Sequence, residues 1–269
     1  MNKLWRNIRY DSRAGFGRNI AYYIVWILLS IFMVCFVIAE LRELSPDYVP
    51  GCFDIASRFL LGVEKNDIFE RTEMFEIPFE WLLLHTYILF GVAWYPKQDF
   101  DECGYNVWVR TRSKMAWWLS KVVWSFAHIV VTYVIWLCVI AAAEMCLGGD
   151  FTFEITNMYH LRFPADGQGS VYIVLFVMPL LVDFSIGMMI MAVSFLFNSV
   201  IGLLAGLVVL LTSIFFHNRI LLGRYMMLYS YFSERDDATF NINAGYILCI
   251  FAIFCAFVIG YIVYARKEK

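Results

Sequence analysis

Residues 171–216 read VYIVLFVMPLLVDFSIGMMIMAVSFLFNSVIGLLAGLVVLLTSIFF, and Asp183 is the only charged side chain among them. As a single helix, at about 1.5 Å per residue, the stretch would be nearly 70 Å long, more than twice the ~30 Å hydrocarbon core of a bilayer. It must therefore break, and Asn198-Ser199 is the only polar pair near its middle. The sequence predicts two crossings, 171–197 and 199–217, joined by a tight turn at that pair. Gly202 and Gly206 in the second follow a small-xxx-small spacing that lets another helix approach closely. The spacing reads as a packing feature.

Four further apolar runs extend the pattern: 20–40, 79–95, 117–147 and 245–265. The weakest, 79–95, is interrupted by Glu80 and His85. With 61% hydrophobic residues and a mean hydropathy of +0.67, the composition fits no soluble domain. The expected fold is an all-α integral membrane protein, one transmembrane domain over 1–269 with six transmembrane helices. The first run begins late and lacks a small-residue cleavage site before Glu40, so it reads as a retained helix.

Charge sets the expected orientation. Lys3, Arg6, Arg9, Arg13 and Arg18 stand against one acid, Asp11, in the N-terminal tail. By the positive-inside rule that tail lies in the cytoplasm. Six crossings return the C-terminus, with Arg266, Lys267 and Lys269, to the same side. The loop 41–78 is rich in acids and is expected outside. Within 1–19, residues 2–12 read either as a short helix lying in the interface or as a plain basic tail. The mainly apolar 217–244 segment suits an interfacial or re-entrant piece, provided protein covers its open backbone.

Several chemistries are not announced. Gly-Lys never occurs, so no phosphate loop is present, and H-E-x-x-H, C-x-x-C and G-x-S patterns are missing too. Of the seven cysteines, Cys52 and Cys146 fall near the outer side, where a bridge and free thiols are both open readings. No metal site and no nucleic-acid partner is expected.

Polar residues within the runs are the candidate site. Asp183 sits near the middle of its run, where a carboxylate costs about 3 kcal/mol to insert. It is expected to face the bundle interior, either on a translocation path or as a structural tie. His128 is a candidate partner. Pro179 frees a carbonyl one turn earlier and favours a kink. Glu40, Glu80 and Glu144 mark the outer ends of three helices and form either an acidic vestibule for cationic cargo or an ordinary wet rim.

The loop after the second run is the most specific stretch. Pro96 suits a first helical position, with Asp99, Asp101 and Glu102 in the following turn. Phe100, Cys103, Val107 and Trp108 then share one helical face. Arg110, Arg112, Lys114, Trp117, Trp118 and Lys121 follow, as snorkelling charges and an interfacial aromatic belt.

The run Tyr95-Pro96-Lys97, Gly104-Tyr105, Val109-Arg110-Thr111-Arg112-Ser113 and Trp117-Trp118-Leu119-Ser120-Lys121 resembles the corresponding loop of type-2 ABC-transporter permeases of Gram-positive bacteria. The resemblance extends in layout to the whole chain. It implies six helices after an amphipathic N-terminal segment, both termini in the cytoplasm, in a bacterial plasma membrane. It also implies a second permease, identical or homologous, and two copies of a separate ATPase that binds ATP and Mg. The loop would supply a coupling helix that docks on the ATPase, a role falling on Phe100, Cys103, Tyr105, Val107 and Trp108. The implied activity is outward export of a peptide, lipid-like or other amphipathic cargo by alternating access. The external loop 41–78 is larger than that family's simplest members lead one to expect. Two alternatives stand beside this reading: an intramembrane enzyme using Asp183 with His128 or His85, and a non-transporting sensor or immunity protein with an acidic external loop.

Overall fold

A computed structural model of the chain describes residues 3–44, 49–64, 77–104, 113–149, 161, 163, 168–233 and 240–266, and among these there is helix and no strand. In order they are α1 (Lys3–Arg18), α2 (Ile20–Leu44), α3 (Cys52–Leu60), α4 (Phe79–Asp99), α5 (Lys114–Cys146), α6 (Met178–Leu196), α7 (Ser199–Phe215) and α8 (Ile242–Arg266). Four helical stretches are long and apolar enough to cross a bilayer: Ile20–Glu43, Lys114–Cys146, Gly169–Leu196 and Ile242–Arg266. By length and composition they are candidate membrane-spanning helices. α7 is a shorter apolar helix of 17 residues. α4 has 21 residues, but it carries Glu80, His85, Lys97 and Asp99 and is buried along one side. A helix inside a bundle can hold polar groups that mean hydropathy counts against it.

Local chemistry explains the boundaries. The break between α6 and α7 falls at Asn198, whose side chain accepts a hydrogen bond from the Ile201 N–H at 2.8 Å and so caps α7. Gly202 and Gly206 lie against α6, where an added Cβ would stand 2.8 Å from the Ile190 carbonyl and 2.4 Å from its side chain, respectively. The glycines therefore serve packing within one chain. α5 starts at Ser113, which accepts from the Ala116 N–H at 3.3 Å, and stops at Gly148, whose φ of +82° suits the residue after a helix C-terminus. Before Pro179 the backbone widens into a π-turn, Ile173–Val177. Proline's missing N–H and its ring are what such a turn accommodates.

Two sequence readings need correction here. Pro96 does not begin a new helix: α4 runs through it to Asp99 and continues as a π-turn, Phe100–Gly104. Burial of Tyr95 and Asp99 holds the helix across the proline. The loop 41–78 contains α3, which the sequence reading left without structure. Of the coupling stretch, Tyr105, Val107, Trp108, Arg110 and Arg112 lie outside the described residues, as does the Cys103 side chain.

At one end of the bundle, α3 and the segment after α7 build a cap. Gly62, with φ of +74°, turns the chain after α3 under Met227. The Leu228 and Tyr229 N–H groups then donate to the Leu60 and Leu61 carbonyls at 2.8 and 3.2 Å. Arg224, fully buried, donates to the carbonyls of Val63, Ile214 and Phe216 at 2.7, 3.2 and 3.3 Å. It thus caps the C-terminal end of α7, where carbonyls lack partners, and ties the cap to it.

Candidate functional site

α4 places polar groups on its buried side along much of its length, and three clusters form around them. At the cap end, Arg58 of α3 makes a two-pronged pair with Glu40 of α2, its Nη2 reaching Oε1 at 2.8 Å, and lies 3.7 Å from Glu80 of α4. Glu144 of α5 is buried and accepts from the Cys52 N–H at 3.2 Å, at the N-terminus of α3. The three glutamates thus anchor α3 through a guanidinium and a helix start, which removes the basis for an open acidic vestibule. Cys52 and Cys146 are both free thiols.

In the middle stands a second buried cluster. The Asp183 Oδ2 accepts from the Tyr133 hydroxyl at 2.7 Å and lies 2.9 Å from His85 Nδ1. Asp183 and His85 are 0% exposed. Three helices, α6, α5 and α4, contribute one side chain each. A carboxylate in a bundle needs polar partners from its neighbours, and here the Tyr133 hydroxyl and a His85 ring nitrogen converge on one oxygen. The partner is His85, not His128. His128 lies near the Tyr23 hydroxyl of α2, 2.6 Å from its Nδ1, while its Nε2 is 3.3 Å from the Ile88 carbonyl. It fits into the notch left by Gly91. Nearby, Tyr22 and Tyr87 each donate to the other's carbonyl, at 2.6 and 2.9 Å, and bind α2 to α4.

At the end opposite the cap, Lys121 of α5 is fully buried between Asp11 of α1 and Asp99 of α4, with its ammonium 2.6 Å from Asp99 Oδ2. Its ammonium also lies 4.8 Å from the Tyr95 ring centroid and 5.0 Å from that of Trp117. Tyr95 donates to Asp11 at 3.0 Å, and Tyr10 to Asp99 at 3.4 Å. Lys121 is thus an internal charge rather than a snorkelling one. It holds α1 by the face Asn7, Asp11 and Gly15, the buried residues of that helix. The sequence reads residues 2–12 as either an interfacial helix or a plain basic tail; here Trp5 is exposed and the face of Asn7, Asp11 and Gly15 docks.

Burial raises the Asp11 carboxyl above its ordinary range, against the opposing pull of Lys121. Docked α1 therefore favours protonated Asp11. That contribution is complete below the free carboxylate value, about 3.9, and is lost as pH rises through the docked value. Raising the pH from about 4 toward neutrality is expected to ease release of α1, read as faster protease cleavage near Asn19. Asp11→Asn should flatten that pH profile.

Beside this cluster Phe100, just past α4, packs among rings of three other helices. Its centroid lies 5.8 Å from Trp117, 5.5 Å from Phe195 and 5.7 Å from Tyr264. Trp117 and Trp118 are buried against α6 and α8, with Trp118 filling a notch at Gly260. They form a core and not an interfacial belt. The Lys114 ammonium donates to the Ala265 carbonyl at 3.2 Å, near the end of α8. Phe100 therefore faces inward, and its part in any docking is indirect.

Tyr133, Asp11, Asp99, Tyr95 and Arg58 escaped sequence reading as site residues. Asp11, the single acid of a basic tail, was the one visible signal. Among the described residues no group of three or more His, Cys, Asp or Glu suits a metal ion. A cavity of about 620 Å³ lies at the cap end between the π-turn before α6, Tyr231, Phe232, Phe240 and the start of α8, including Asn241 and Asn243. Compared with known proteins, the chain matches no family model, no curated protein and no solved structure.

Proposed function

We propose that the chain is the membrane-spanning permease subunit of an ATP-driven exporter in a bacterial plasma membrane. α2, α4, α5, α6, α7 and α8 make six crossings, and the α1 end lies in the cytoplasm. One observation carries the reading. The residue that leads into the α4–α5 connection, Phe100, is seated in a ring cluster with α5, α6 and α8, and Asp99 beside it shares Lys121 with α1. A force applied to that connection by a cytoplasmic motor would reach four helices at once. The motor would be two copies of a separate ATPase carrying ATP and Mg, acting on this permease and a second one, identical or homologous.

The cargo is peptide, lipid-like or otherwise amphipathic. The 620 Å³ cavity, with aromatic walls and two amides at its mouth, has the size and mixed character such molecules need. Gentle purification from the native host tests the assembly. Recovery of a phosphate-loop ATPase in equal amount supports it, and a chain that purifies alone in several mild detergents overturns it. Within the assembly, Phe100→Ala is expected to leave ATP hydrolysis running while transport falls. Equal loss of both, or of neither, would remove Phe100 from the transmission path.

A further inference from the structure

Between α2 and α5 lies an open groove of about 670 Å³ whose lining side chains are all aliphatic or thiol. α2 contributes Ile27, Ile31, Val34, Cys35 and Ile38. At 3.6 residues per turn these five share an arc of about 100°. The α5 wall is hollowed by small side chains, Cys138, Ala142, Ala143 and Cys146, whereas α2 elsewhere presents Phe32 and Phe36 outward. Arg42, one turn past Ile38, falls in the same arc of α2 and is exposed. It has no hydrogen-bond or ion-pair partner among the described residues. The acids near it face elsewhere: Glu40 is on the opposite side of α2, held by Arg58, and Glu43 lies about 100° round from Arg42.

Depth and width say what fits. The apolar run 20–39 of α2 is centred near Ser30. With that point at the bilayer midplane, Arg42 stands about 18 Å away, just past the ~15 Å half-thickness of the hydrocarbon core. The groove from Ile27 to Ile38 is about 16 Å long and fills mainly the leaflet at the cap end. Its volume over that length gives a mean cross-section of about 40 Å², half the ~80 Å² of a helix 10 Å across. The space is too narrow for a helix of a second copy and suits extended hydrocarbon. A guanidinium at headgroup depth matches a phosphate, which it grips through two parallel N–H donors. We propose that the α2–α5 groove holds one anionic phospholipid of the cap-end leaflet, with its acyl chains between Ile27 and Ile38 and its phosphate on Arg42. The lipid would complete the wall that the small residues leave open. This inference rests on α2 and α5 crossing the bilayer and is independent of any ATPase partner.

The test mixes the purified full-length chain in detergent micelles with equal amounts of phosphatidylglycerol and phosphatidylcholine of the same acyl chains, and counts bound lipid by native mass spectrometry. The expected result is one lipid per chain, with phosphatidylglycerol favoured about fivefold, the ratio that one arginine at a lipid surface supplies. Arg42→Gln should abolish the preference. Ala142→Phe, which fills the groove, should abolish retention, while Phe36→Ala, off the groove, should keep both. Melting curves check that each variant folds. Should Ala142→Phe misfold, Arg42→Gln at an exposed helix end still decides. Wild type that retains no lipid, or a preference that survives Arg42→Gln, would overturn the proposal. So would a wild-type dimer that Ala142→Phe dissociates, which would give the groove to a second copy. Resistance of the chain to alkaline-carbonate extraction reads the crossing by itself, so a chain that resists extraction yet binds no lipid overturns this inference alone.

Discussion

Replacing Lys121 by Met lowers the stability of the folded chain by about 3–5 kcal/mol, the cost of leaving a buried charge unpaired. Met fills nearly the same volume, so the loss does not come from a cavity. It comes from Asp11 and Asp99, which are buried and hold the ammonium between them. Without it two carboxylates face each other out of water. α1 should leave the bundle first, because Asp11 is its main tie and its apolar Trp5 points away. Thermal unfolding in mild detergent measures the stability, and protease cleavage between α1 and α2 reports the release. Adding Asp11→Asn and Asp99→Asn to Lys121→Met should restore most of the loss, since a buried ion cluster replaced as a whole is often near neutral. A triple variant as unstable as the single one would mean that packing, not charge, sets the effect.

Replacing Arg224 by Met should cost about 3 kcal/mol or more, because charge-assisted hydrogen bonds contribute about 1.5–3 kcal/mol each and three carbonyls lose their donor together. Those carbonyls belong to Val63, Ile214 and Phe216, in the segment after α3 and the end of α7. Their separation should free the cap while the bundle persists. Hydrogen exchange should therefore rise at the Leu228 and Tyr229 amides, which donate to Leu60 and Leu61, before it rises in α5 or α6. Uniform exchange throughout the chain would show that cap and bundle unfold as one unit. Arg224→Lys keeps the charge but cannot reach three carbonyls at once, so it should recover only part of the loss.

The legible and illegible parts of the chain differ by range of interaction. The break at Asn198 was readable because a side-chain cap is made within three residues. The Gly202 and Gly206 contact was readable as small-residue spacing, though its partner was not. Asp183 stood out because a carboxylate in an apolar run is rare. Its partners did not, since His85 and Tyr133 are 98 and 50 residues away in sequence and no local pattern links them. Helix α4 was the weakest apolar run for the same reason it matters: its polar residues are paid for by partners on five other helices. Trp117, Trp118 and Lys121 were assigned to the membrane interface because tryptophans and lysine at a helix end usually belong there. Phe195, Gly260, Asp11 and Asp99 provide the buried alternative, and those residues come from four other parts of the chain.

The sequence alone pointed to an all-helical chain with helices apolar enough to cross a membrane, placed its main apolar helices, and marked Asp183 as needing an interior partner. Those properties follow from hydropathy, chain length and caps, which act over a few turns. Tertiary structure decided that α1 docks by its polar face, that Glu40, Glu80 and Glu144 anchor α3, and that His85 rather than His128 meets Asp183. A buried charge is tolerated only beside a group of suitable sign and geometry, and which group that is depends on how distant helices pack.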